Sequence, residues 1–326
     1  MNQQQQRLFR SEEEPTIRRR IPKSQRRRDG LLRFAKNRTS QSGEDGVIQR
    51  IFSLLPPPPS SSPTLQTDSS SSPTPTYWCV DVGAWDGKHL SNTYSLLVPE
   101  DTDTTKKQQQ KWHGILIEAD TARYHDLCAL HEPLQNVCLN RAVSGMSDSQ
   151  QHQPNNLVNI LLSDPAVRER VDFSAPGQIL DFLCIDIDGS DYWVMESILR
   201  TSQQQHQKSR RRIRPRVICI EFNPTMPNDL IYIPARNDTV RHGASLAALV
   251  ELAQTHQYTL VETTLYNAFF VDHSLYEQYL KNEVPDTSIE ALHEPTMGTS
   301  LYQLYDGTLK LWGCKRMLWH RVPVSW

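Results

Sequence analysis

The segment TYWCVDVGAWDGKHLSN (Thr76–Asn92) runs from a block of apolar and β-branched residues straight into two glycines, Gly83 and Gly87. A near-continuous apolar run of this length predicts a strand buried on both faces, as in a parallel sheet covered by helices. Glycine after such a strand lets the backbone turn sharply and approach a ligand closely. The spacing is G-x-x-x-G. The G-x-G-x-x-G turn that cradles a pyrophosphate is absent, and so is a P-loop lysine motif. A ligand without phosphates fits this turn better, which argues against a nicotinamide dinucleotide oxidoreductase.

Outward from this segment the chain alternates strand and helix. Helices are predicted at Lys88–Leu97, Thr121–Leu130, Ser190–Leu199 and Ser245–Thr255. Strands follow the first one at Gly114–Ala119, Asn136–Val143, Phe182–Asp188, Arg216–Phe222, Tyr258–Thr264 and Asn267–Asp272. This order predicts an α/β fold: a Rossmann-like, seven-stranded, mostly parallel sheet with helices on both faces. Only Leu265 and Tyr266 separate the last two strands, too few for a crossover helix, so the seventh strand must be antiparallel. YQLYDGTLKLW (Tyr302–Trp312) carries Asp306–Gly307 between alternating arms and predicts a C-terminal β-hairpin.

Composition sets the domain plan. The chain has 326 residues, 37% of them hydrophobic, below the roughly 45–50% of ordinary globular domains. The deficit lies in blocks. Residues 1–38 hold twelve Lys/Arg against four Asp/Glu, with RRRIPKSQRRR at Arg18–Arg28, and read as a disordered basic tail. Low-complexity or polar insertions fall near 56–76, 101–110, 147–156 and 202–212, each between apolar segments. The remainder, 39–326, reads as one domain.

The formal net charge of -2 argues against a wholly nucleic-acid-binding chain. Nucleic acid is not required as a partner, although the basic tail could contact one. No run of about 18 apolar residues is present, so no membrane-spanning helix is expected. The six cysteines form no C-x-x-C pair, and Cys79, Cys184 and Cys219, inside apolar runs, read as reduced residues, which suits a cytoplasmic or nuclear setting.

In open α/β sheets the ligand lies beyond the carboxyl ends of the strands. Glu118 stands at the end of the second strand, placed to accept hydrogen bonds from ribose hydroxyls. Strand, glycine turn, helix, strand and acid together indicate a nucleoside-bearing cofactor.

DVGAWDG (Asp81–Gly87), ILIEAD (Ile115–Asp120), NRAVSG (Asn140–Gly145), IDIDGSDYW (Ile185–Trp193) and IEFN (Ile220–Asn223) resemble the class I S-adenosylmethionine-dependent methyltransferases, in particular the FkbM-like branch. The resemblance covers roughly Ser40 to the carboxyl end. It implies S-adenosylmethionine as cofactor and methyl transfer to an oxygen acceptor by in-line displacement. It implies that Asp81 and Gly83, with Gly87, line the methionine moiety, that Glu118 holds the ribose, and that Ala142 edges the adenine. SQSGEDG (Ser40–Gly46) resembles a segment the family places over the cofactor, which adds Gln41 and Glu44. Where the family's glycine motif commonly has Asn, this chain has Trp85.

On the acceptor side, Asp186 and Asp188 are two apart near the end of the fourth strand, and Glu221 and Asn223 near the end of the fifth. Oxygen ligands at this density suit a hard divalent cation, with Asp186, Glu221 and Asn223 as its ligands. The layout is similar to that of cation-dependent O-methyltransferases, imperfectly so, because Phe222 separates Glu221 from Asn223. Without a metal, Asp186, Asp188 or His242 is the candidate general base, and Asp186 also borders the cofactor. Asn223–Pro224 reads equally as an Asx turn. The acceptor class stays open, a small molecule or a glycan among the choices. The rival reading is a catalytically inactive methyltransferase fold that acts as a binding or scaffold protein.

Overall fold

The computed structural model describes residues 16–19, 30–58, 75–98, 111–145, 155–204, 213–241, 243–294, 300–312, 316–317 and 322–323. Seven strands build the main sheet: β1 (Thr76–Val82), β2 (Lys111–Glu118), β3 (Val137–Asn140), β4 (Phe182–Ile185), β5 (Val217–Glu221), β6 (Tyr258–Thr263) and β7 (Asn267–Asp272). Their spatial order is β3-β2-β1-β4-β5-β7-β6. All neighbours are parallel except β7, which runs antiparallel to both β5 and β6. This is the Rossmann-like mixed sheet expected from the sequence. The order reverses between β1 and β4, so that gap is the switch point where α/β sheets bind ligands.

Around the sheet lie α1 (Glu44–Leu54), α2 (Tyr94–Leu97), α3 (Thr121–His131), α4 (Leu157–Ser163), α5 (Pro165–Arg170), α6 (Asp191–Gln204) and α7 (Leu246–Thr255). Right-handed crossovers place the helices that join β1, β2 and β3 on one face and those that join β4, β5 and β6 on the other. Both faces being covered, β4, β5 and β6 are buried along their whole length. That explains why these strands read as apolar runs rather than as alternations.

α1 buries Val47, Ile48, Ile51 and Phe52, a stripe of helical spacing. The Phe52 ring meets Trp112 edge-on at 4.9 Å and Phe182 at 5.9 Å. Burying a ring of this kind stabilises by about 1.5–3 kcal/mol. The amino terminus of α1 thereby comes to the carboxyl end of the sheet. At the opposite edge, Asp181 accepts the Trp78 N–H at 2.9 Å and pairs with Arg216 at 2.9 Å, both side chains being buried. β1, β2 and β5 begin at this amino-terminal edge.

Four expectations need correction. The helix expected at Lys88–Leu97 is only the turn Tyr94–Leu97. Gly87 and Leu90 have left-handed φ values of 77° and 56°, and the Asp86 carboxylate takes the N–H groups of Lys88 and His89, so the loop continues. The third strand is Val137–Asn140, shorter than Asn136–Val143. The fourth strand stops at Ile185, because Asp188 adopts φ +58° and the chain turns.

The fourth correction concerns the boundary at residue 38. Leu31 is fully buried in a 3-10 turn, Leu31–Phe34, so the folded body starts before that boundary. Within the basic segment, Thr16–Arg19 pairs antiparallel with Leu230–Ile233. The hairpin at the carboxyl end forms as expected, Ser300–Gln303 against Leu309–Trp312. Among the described residues, no helix is long and apolar enough to cross a membrane.

Candidate functional site

The loop after β1 is bound to its neighbours on both sides. Gly83 and Ala84 donate their N–H groups to the Ile117 carbonyl of β2 at 2.9 and 3.0 Å. Gly83 has φ +90°, and a Cβ there would stand 1.7 Å from the Asp186 carbonyl oxygen. The loop thus crosses the switch point in contact with the ends of both β2 and β4, and only glycine permits that approach. Gly87 serves differently. A Cβ on Gly87 would meet the ring of His131 at 2.5 Å, and the Gly87 carbonyl lies 2.9 Å from His131 Nε2. Gly87 seats the loop on α3.

Glu118 joins the two loops at the switch point. Its Oε2 accepts the Trp85 N–H at 2.8 Å and its Oε1 the Asp120 N–H at 2.7 Å. A carboxylate offers about four lone-pair sites, so each oxygen keeps one for a further donor. Asn140 holds the backbone beneath, its Nδ2 donating to the carbonyls of Glu118 at 2.9 Å and Ala119 at 3.1 Å. Trp85 has φ +51°, a conformation that Asn tolerates and bulky residues rarely adopt. Its ring is exposed, with the Arg123 guanidinium 5.0 Å from the centroid.

Asp81 lies below the loop, buried, and accepts the Thr93 hydroxyl at 2.6 Å. Burial raises its pKa to about 6. Beside it, Asn92 Nδ2 points to the sulfurs of Cys184 and Cys219 at 3.6 and 3.8 Å.

The acidic group lies past β4 and β5. Carboxylate oxygens of Asp186, Asp188 and Glu221 all lie within 4.8 Å of one another. Asp186 and Asp188 are half-buried; Glu221 is 2% exposed, and its Oε2 has no hydrogen-bond partner. Burial first, then the charges of Asp191, Asp188, Asp81 and Glu44, push the Asp186 carboxyl well above its ordinary range. Glu221 is raised in the same way, by burial and then by Asp186, Asp191 and Asp188. Asp191 caps the turn, taking the N–H groups of Ile187 and Gly189 at 2.8 Å each, and burial raises it to about 6.

Several expected site residues are engaged elsewhere. Asn223 does not join the acidic group. Its Oδ1 accepts the Thr225 N–H at 3.0 Å and hydroxyl at 2.5 Å, an Asx turn. Glu44 is fully buried. It takes the Thr264 hydroxyl at 2.6 Å and the Ser42 N–H at 2.6 Å, which ties α1 to the β6–β7 turn. Gln41 is half-buried, its carbonyl accepting Asn37 Nδ2 at 3.2 Å. Ala142 is exposed. His242 lies outside the described residues.

The structure also supplies residues that the sequence reading missed. The Trp85 N–H, Asn140 and Thr93 act through backbone geometry or through pairing across loops, which no local pattern signals. Asp191 had a visible signal in the Gly-Ser-Asp run before α6. On the far side of that helix, Arg236 stacks 4.5 Å from the Trp193 ring centroid and donates to the Gly145 carbonyl at 2.8 Å. This draws the segment after β3 towards α6.

No protein-family model matches the chain, and no curated protein matches its sequence. Among solved structures, it is similar to the METTL16 MTase domain at 10% identity and a TM-score of 0.32, covering 61% of each chain. It is similar to a human methyltransferase 10 domain containing protein at 15% identity and a TM-score of 0.33, covering 64% of this chain and 76% of that one. A delta-N METTL16 MTase domain aligns at 15% identity and 0.29, over 63% and 74%. The chain therefore spans 61% of the length of the first of these.

Proposed function

We propose that the chain is an S-adenosylmethionine-dependent methyltransferase of FkbM-like type that transfers a methyl group to an oxygen acceptor. The observation that carries this reading is the meeting of the Gly83 loop and Glu118 at the switch point of the sheet. A turn without phosphate-binding spacing beside a carboxylate with two spare acceptor positions suits a nucleoside ribose whose other substituent is uncharged by phosphate.

The residues fit such a cofactor. Glu118 would accept from the two ribose hydroxyls. Gly83 lets the loop close onto the Asp186 backbone, an approach that any Cβ would prevent. Ala142 and Val143, exposed and half-buried after β3, would border the adenine. Asp81 would act from beneath, by holding the loop through Thr93 rather than by direct contact. When bound, the cofactor supplies a methyl group made electrophilic by its sulfonium. The chain's own task is to hold the acceptor oxygen in line with that carbon and to exclude water. Asp186, half-buried at the end of β4 with its carboxyl raised above its ordinary range by burial and by like charges, would accept the hydroxyl proton.

Calorimetry with S-adenosylhomocysteine tests the reading directly. One site per chain is expected, weakened in Glu118→Ala. Absence of heat with the wild-type protein would overturn it. Binding without transfer of a labelled methyl group to any extract fraction would favour the inactive scaffold instead.

A further inference from the structure

The cofactor loop and the acidic group are neighbouring features of the same sheet edge, meeting at Asp186. Glu118 and the glycine loop lie at β1 and β2; Asp186, Asp188 and Glu221 lie past β4 and β5. The sequence points to Asn223 as a partner of this group; in the structure its oxygen accepts two hydrogen bonds from Thr225. Asp188 takes its place through the left-handed turn after β4.

We propose that Asp186, Asp188 and Glu221 form a binding site for one hard divalent cation of the magnesium, manganese or calcium class. Three observations carry it. The three carboxylate oxygens lie within 4.8 Å of one another. Three oxygens so spaced have a common point no more than about 2.8 Å from each, so a shift of a few tenths of an ångström brings all three to the 2.3–2.6 Å of a calcium-type shell. Glu221 is a carboxylate at 2% exposure with one oxygen lacking any partner, and an orphaned, buried acid is costly unless something answers its charge. Its neighbours in the group, Asp186 and Asp188, are acids as well.

Three protein oxygens leave at least three positions of an octahedral shell for water or for a ligand oxygen. The half-buried sides of Asp186 and Asp188 are where those positions open. Resting on the methyl-transfer reading, the site would take the acceptor through its hydroxyl oxygen, which selects acceptors that present a chelating or acidic hydroxyl.

Manganese alone is the probe, titrated into the full chain and followed by loss of the free-ion electron paramagnetic resonance signal. One bound ion per chain is expected. Asp188→Asn and Glu221→Gln should each weaken it by about tenfold or more. Asp188→Asn is the safer variant, since Asn accepts the same left-handed φ. No loss of free signal, or equal binding by the wild type and Asp188→Asn, overturns the site. S-adenosylhomocysteine calorimetry on the same samples keeps the two ideas apart. Manganese binding without it upholds the cation site and removes the methyl-transfer reading. The nucleoside binding without manganese does the reverse.

Discussion

The backbone N–H of Trp85 donates to the Glu118 carboxylate at 2.8 Å and so fastens the loop after the first strand to the end of the second. The same carboxylate takes the Asp120 N–H and keeps spare lone pairs. Glu118 therefore shapes the loop and remains available to a ligand.

Replacing it separates these roles. Glu118→Ala should weaken S-adenosylhomocysteine by about 10–100-fold, the loss of hydrogen bonds to a charged acceptor worth about 1.5–3 kcal/mol. Glu118→Gln, which keeps one carbonyl oxygen, should fall between. Equal affinity in the alanine variant and the wild type would remove Glu118 from the binding site.

Gly83→Ala should destabilise by about 3 kcal/mol or more, because the new Cβ would stand 1.7 Å from a main-chain oxygen. The Asp186 backbone cannot withdraw without losing its 2.9 Å bond to Val82. Gly177, at φ +79° with nothing within 4 Å, is the control, and its change to alanine should cost only about 1–2 kcal/mol. Urea midpoints of the two variants measure the difference.

Asp81 makes stability depend on pH. Its ordinary value is 3.8 and its folded value about 6. Between these the folded protein keeps a proton that the unfolded chain has released. The stability this contributes is complete below 3.8 and is lost as pH rises through 6. Each pH unit of displacement is worth about 1.4 kcal/mol, so the loss is on the order of 2–3 kcal/mol. Asp81→Asn, which can still accept from Thr93, should flatten the decline between pH 4 and 7. A variant that declines as steeply as the wild type contradicts this.

Arg216→Met should cost about 3–5 kcal/mol by leaving the buried Asp181 unpaired. Because the pair lies at the amino-terminal edge, the folded fraction should bind S-adenosylhomocysteine as the wild type does. A parallel loss of affinity would mean that the two edges are coupled.

Strands were legible because burial on both faces leaves an apolar run with nothing to break it, as in Phe182–Ile185 and Val217–Glu221. The antiparallel β7 followed from chain length alone. Helix boundaries were less legible where side chains compete with the backbone. Asp86 capping Lys88 and His89 reads as an ordinary acid in the sequence, yet it prolongs the loop through a region of helical composition. The acidic group was half legible. Asp186 and Glu221 were recognisable at strand ends, but Asp188 reaches them through a turn, not through strand periodicity. Glu44 shows the opposite failure. Its place in SQSGEDG suggested a ligand contact, and the structure gives it the interior task of joining α1 to Thr264.

β1, β2 and β5 all begin at the edge held by Asp181 and Arg216. Seven residues of β1, about 23 Å of extended chain, separate that edge from the glycine loop. The molecule thus has a permissive pole and a demanding one. An epitope or fluorescent reporter spliced between 59 and 74 would ride on the first without disturbing the second, which offers a way to watch the protein while its chemistry is left intact.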